Sequence, residues 1–170
     1  MALRWTTRCA YPFAGIAFSV VLLFASQSYA QRGSAGPFAG LSGSWSGSGT
    51  VSLANGSSER IRCRATYRVG GDGTSLQQEL RCASDSYRFE LRGDVTYYAG
   101  QISGTWSEVT RNTGGSVSGR ASDGLVQAIV NGPAFAASLA VTTRGDRQSV
   151  HIRSDSTELS SVTITLSRSR

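Results

Sequence analysis

From Leu41 onward the chain alternates. Between Leu41 and Leu53 the odd positions are Leu, Gly, Trp, Gly, Gly, Val and Leu, and every even position is Ser or Thr. A period of two puts successive side chains on opposite faces, which is the mark of a half-buried strand and excludes a helix. In 61–69 the apolar set is Ile61, Cys63, Ala65, Tyr67 and Val69, and the polar set is Arg62, Arg64, Thr66 and Arg68. The same alternation continues through Leu76, Leu80 and Cys82, through Phe89 and Leu91, through Ile102 and Trp106, and on to Val162, Ile164 and Leu166. Glycine, asparagine and aspartate separate the runs. The pattern predicts an all-β fold over 41–170, a single antiparallel up-and-down barrel of about eight to ten short strands. The segments Leu41-Ser-Gly-Ser-Trp-Ser46 and Ile102-Ser-Gly-Thr-Trp-Ser107 resemble one another, so two related halves are expected.

Parity fixes registers as well as faces. With Gly70 to Ser75 as a loop, Val69 faces Leu76, Ala65 faces Leu80, and Cys63 lies opposite Cys82. Directly opposed antiparallel residues are close enough for a disulfide. Such a bond would close a loop of about twenty residues and stabilise the fold by roughly 3 kcal/mol. The first hairpin holds Asn55-Gly56, a two-residue turn signal, but a loop of two would set Val51 against outward Arg60. An odd loop of about three residues restores the faces, and it is expected to set Trp45 opposite Tyr67 and Gly49 opposite Cys63.

Residues 1–30 read as an export signal. Arg4 and Arg8 precede a short apolar run from Phe13 to Ala25, and Ser28-Tyr29-Ala30 is a small-x-small cleavage site with no lipidation cysteine after it. Residues 31–40 read as a flexible linker. An apolar run of about thirteen residues falls short of the roughly twenty that a helical span needs. The expected location is therefore the periplasm or the exterior of a bacterium, where Cys63 and Cys82, left alone once Cys9 departs, would pair. Processing lowers the net charge of +6 by the two charges of Arg4 and Arg8. Every remaining basic residue is arginine, spread along strands instead of clustered, so no nucleic-acid footprint is expected. Anionic envelope material is the charged partner that this surface suits.

Six glycines fall on the apolar parity, Gly43, Gly47, Gly49, Gly93, Gly104 and Gly119. Either they let strands bend at barrel corners or they hollow the interior. In the second case the cavity wall would comprise Trp45, Tyr67, Tyr87, Phe89 and Trp106, with Gln78 and Glu108 as its polar groups, and would suit a small, partly apolar ligand.

Gly43-x-Trp45 on the first strand, with Arg168 after the last, resembles the calycin superfamily of lipocalins and avidins. The resemblance implies that Trp45 packs across one barrel end and that Arg168 covers it as a cation–π partner. The chain also resembles short secreted proteins of alphaproteobacteria, which implies the same compartment.

Catalytic chemistry is not expected. His151, the one histidine, shares the polar parity with Arg153, and it lacks partners for a metal site or a triad. Asp72, Asp85, Asp94, Asp123 and Asp146 fall in or near turns, where turn chemistry explains them. No cofactor motif is present. The leading expectation is an exported binding barrel. One alternative is a filled barrel acting as an interaction module, for instance an inhibitor. Another is a small outer-membrane barrel in which Arg62, Arg64, Arg81, Arg88, Glu90 and Arg92 line the lumen.

Overall fold

The computed structural model describes residues 35–133, 135–154 and 158–169. The export signal, its cleavage site and residues 31–34 of the expected linker lie outside the described residues. Those described form ten strands: β1 (Gly43–Leu53), β2 (Ser58–Val69), β3 (Ser75–Ala83), β4 (Arg88–Tyr98), β5 (Gln101–Glu108), β6 (Thr113–Ser122), β7 (Leu125–Gly132), β8 (Phe135–Arg144), β9 (Arg147–Ser154) and β10 (Leu159–Arg168). Each pairs antiparallel with the next, and β10 returns to pair with β1, so the sheet closes into a barrel without an edge.

The second hairpin has the expected register: Val69 pairs with Leu76, Ala65 with Leu80 and Cys63 with Cys82. The two cysteines are disulfide-bonded. The first hairpin has the expected odd loop, but it is centred one residue earlier. Trp45 pairs with Ala65, Gly49 with Ile61 and Gly43 with Tyr67, in place of the expected Trp45–Tyr67 and Gly49–Cys63 pairs. The cause is local. Asn55 turns its side-chain oxygen to accept from the Ser57 N–H at 2.9 Å, and Gly56 takes a φ of +86°, which makes Ala54 to Gly56 the loop. Both registers keep Trp45 inward, so the error moves partners without turning a face over.

The repeated Gly-x-Trp segments lie on β1 and β5, four strands apart. A ten-stranded barrel of two equal halves would need five, so the copies do not mark equivalent positions. Their tryptophans also differ in setting, with Trp45 1% exposed and Trp106 half-buried.

Before β1, Ala39–Leu41 form a 3₁₀ turn that carries Leu41 and the preceding Phe38 onto the barrel end. Phe38 is 1% exposed, and the Gly36 N–H donates to Asp72 O in the β2–β3 loop. The stretch read as linker thus ends, from Gly36 onward, in an end plug. Most inward side chains of β1, β2 and β10 are sealed, among them Val51, Ile61, Cys63, Ile164 and Leu166. Those of β4, and several on β5 to β9, keep partial solvent contact, among them Leu91, Val95, Trp106, Val130, Leu139 and Ile152. The interior is packed most tightly at β1, β2 and β10, and on the opposite side buried positions such as Ile102, Val117, Ala128 and Val150 are interspersed with these half-buried ones.

The arginines lie on the outside. Arg62, Arg64, Arg81, Arg88 and Arg92 are all exposed on the outer wall. A lipid-facing wall requires the reverse, with apolar side chains outward and charges within, so the lumen arrangement of the outer-membrane alternative does not hold.

Candidate ligand site

Cross-strand pairing assembles one inward row from five strands: Tyr67, Gln78, Gly93, Trp106 and Gly115 on β2 to β6. At its closed end, Tyr67 meets Trp45 edge to face, with ring centroids 6.3 Å apart. The Tyr67 hydroxyl donates to Gln148 Oε1 at 2.7 Å, and the Gln148 amide donates to Thr143 Oγ1 at 3.1 Å. Burial pushes the Tyr67 hydroxyl pKa well above the ordinary tyrosine range, and the bond to Gln148 offsets only part of that. Trp45 donates its indole N–H to Leu41 O at 2.9 Å. Across its ring lies the Arg168 guanidinium, 4.4 Å from the centroid, which also donates to Ser42 O, to Gly40 O and to Asp146 Oδ1. Trp45 and Tyr67 are therefore core residues of the plugged end, with every polar atom engaged, and not a cavity wall.

Further along the row the geometry changes. A Cβ at Gly93 would be accommodated without a clash, at ordinary van der Waals distance from Thr105 O at 3.8 Å. Gln78 and Trp106 flank this bare position, both half-buried. The Gln78 amide makes no hydrogen bond with the described residues. Trp106 is fixed from behind: its indole N–H donates to Asn131 O at 3.0 Å, and it lies against Gly115, where a Cβ would come within 3.0 Å of the same nitrogen. Phe89 pairs with Cys82 on the same inner wall and is also half-buried. The result is a half-buried stretch of the inner face in which a position without a side chain separates Trp106 from a Gln78 amide that is unpaired among the described residues.

The other inward glycines act differently. At Gly47, Gly49, Gly104 and Gly119 a Cβ would fall on a carbonyl oxygen of the neighbouring strand, those of Thr165, Thr163, Asp94 and Gln127. These positions bend the sheet and do not hollow it. Gly93 alone among the six glycines read on the apolar parity would accept a Cβ without close contact or backbone strain; Gly43, at the mouth of β1, has a φ of +118° beside Arg168.

Two further expected wall residues lie elsewhere. Tyr87 is in the turn before β4, where its N–H donates to Ser84 Oγ at 2.9 Å. Glu108 is 5% exposed but spends both oxygens on the β5–β6 turn, accepting from Thr110 Oγ1 and the Glu90 N–H on one and from the Arg111 N–H on the other. Burial pushes its pKa up, and these hydrogen bonds together outweigh it and hold the carboxyl below the ordinary glutamate range. It is a turn anchor, not a ligand contact. Sequence reading passed over Gln148 and Phe38. Gln148 shares inward parity with Val150 and Ile152, which was the available signal, whereas Phe38 sits outside any alternation.

No protein-family profile and no curated protein matches the chain. Among solved structures it is similar to Rv2717c from M. tuberculosis, at 13% identity and a TM-score of 0.62, covering 78% of this chain and 94% of that one. It is also similar to the S-type phycobiliprotein lyase CPES from Guillardia theta, at 12% identity and a TM-score of 0.56, covering 78% and 90%. The likeness is one of fold, and it defines the class of architecture only: a closed, antiparallel up-and-down β-barrel. Within that class the chain is a ten-stranded, disulfide-bonded barrel plugged at one end.

Proposed function

We propose that this protein is an exported, non-catalytic barrel that takes a small, partly apolar molecule into its interior. The observation that carries the reading is the inward row at Gly93, where a position without a side chain lies between Trp106 and a Gln78 amide unpaired among the described residues, and this is the recess assigned to the ligand. A half-buried amide without a partner is poorly placed in an apolar setting unless a ligand or water satisfies it. An aromatic wall with one directed polar group suits a ligand of mixed polarity. The Cys63–Cys82 disulfide supports an oxidising compartment, in accord with the export signal read in residues 1–30. The absence of catalysis is supported by the engagement of Glu108 in its turn and by the outward setting of His151.

The test uses a neutral apolar fluorophore, N-phenyl-1-naphthylamine, titrated into the processed protein with tryptophan emission recorded. Saturable uptake with quenching of Trp106 is expected. Gly93→Leu should abolish it while leaving the circular dichroism spectrum unchanged. Uptake of equal affinity by a folded Gly93→Leu variant would refute the recess.

A further inference from the structure

The outer wall of β1 to β4 carries a second concavity, an open groove of about 680 Å³ bordered by Arg62, Arg64, Arg81, Arg88, Ala83 and Glu90. Two rows of cross-strand neighbours build it. In one, Arg62 on β2 and Arg88 on β4 flank Ala83 on β3, so the residue between two guanidinium groups is a methyl. In the other, Arg64 is directly opposite Arg81.

Neither row is balanced within the protein. Glu90 pairs with Arg81 at 3.0 Å and approaches Arg92 at 3.8 Å, which uses the one carboxylate that borders the groove. Arg62, Arg64 and Arg88 have no acidic partner among the described residues. Like charges directly opposed across strands destabilise a sheet, and the Arg64–Arg81 pair is of that kind. An anion held between them removes the penalty.

The geometry points to a site for a phosphate-bearing ligand here, with Arg62 and Arg88 clasping one phosphate over Ala83 and Arg64 and Arg81 receiving a second anionic group. The strands bearing Arg62 and Arg88 are two spacings apart, about 10 Å, which leaves room for one tetrahedral anion between flexible side chains. Guanidinium forks match phosphate oxygens in pairs, and a phosphate has enough oxygens to engage forks on separate strands at once. A lone carboxylate occupies a single fork. The groove is bordered also by Cys63, Cys82 and Phe89, but its four arginines are on the outer wall and neither Gly93, Gln78 nor Trp106 borders it, so the arginine substitutions test this site apart from the reading placed on Gly93.

The probe is pyrophosphate, titrated calorimetrically into the processed protein at low ionic strength. Saturable binding that weakens as salt is added is expected. The double variant Arg62→Gln/Arg88→Gln should bind at least tenfold more weakly. Ala83→Glu, which removes no arginine but places a carboxylate on the floor, should do the same. Arg120→Gln, on the outer face of β6, should change affinity less than twofold. Equal affinity across all variants, or no binding by the unsubstituted protein, would overturn the site. Sedimentation with phosphatidylcholine vesicles, with and without phosphatidic acid, then separates sources. Retention that needs phosphatidic acid, Arg62 and Arg88 supports the site and assigns it to a lipid headgroup. Pyrophosphate binding without vesicle retention supports it and assigns it to a soluble phosphate ester.

Discussion

The Arg168 guanidinium lies over the indole of Trp45, 4.4 Å from the ring centroid, so the last residue of β10 closes over the third residue of β1. The same group donates to the backbone of the 3₁₀ turn and to Asp146, and thereby joins three separate parts of the plugged end. Arg168→Ala should lower unfolding stability by about 2 kcal/mol in urea denaturation, the scale of a partly desolvated cation–π contact with charge-assisted hydrogen bonds. Arg168→Lys keeps the charge and loses the fork, so it should recover less than half of that loss. Full recovery would show that charge alone matters there.

The glycines divide into two kinds, and substitution should separate them. Gly104→Ala drives a methyl onto Asp94 O and should cost about 3 kcal/mol or prevent folding. Gly93→Ala places its methyl at ordinary van der Waals distance from its neighbours and should cost less than about 1 kcal/mol, the cost of a tolerated surface-like change. Parallel denaturation curves of the two variants decide the matter, and equal costs would contradict the distinction drawn between bend and recess.

Tyr67 and Gln148 form a buried pair that neither residue can leave cheaply. Tyr67→Phe keeps the ring and strands Gln148 Oε1, so a loss of about 1–3 kcal/mol is expected. Replacing both, with Gln148→Leu added, should return part of that loss, because no polar atom is then left unpaired. A double-mutant cycle measures the coupling.

Glu108 links stability to acid. Its folded pKa lies below the ordinary glutamate range, so its contribution is fully present above the unfolded pKa and disappears as pH falls through the folded one. Between neutral pH and pH 3 the urea midpoint should fall more steeply for the unsubstituted protein than for Glu108→Gln, which starts less stable and has no charge to lose there. Curves of identical slope would remove Glu108 from the account.

How far the sequence could be read follows from what alternation encodes. Parity names a face, and for a closed sheet the face is nearly the whole of the fold, hence the Cys63–Cys82 register and the inward setting of Trp45. Depth along the barrel axis is not encoded. Glu108 and Gln78 share a parity, yet one lies at a turn that consumes its oxygens and the other, beside Gly93, has no hydrogen-bond partner among the described residues. The glycines were ambiguous for a related reason. Whether Gly47 bends or hollows depends on how near β10 approaches, and that distance belongs to the neighbouring strand. The first hairpin slipped because the side chain of Asn55, not the length of the loop, chose the centre of the turn.

The seam between β1 and β10 also sets an order of events. Hairpins β2–β3 through β8–β9 join neighbours in sequence and can form as the chain emerges. The Trp45–Arg168 contact and the pairing of Gly47 with Leu166 must wait for the final strand, so the barrel stays an open sheet with two unpaired edges until then. During that interval the edges are exposed to pairing with other chains. A barrel closed by its tenth strand therefore gains from any delay in folding that lasts until that strand is available.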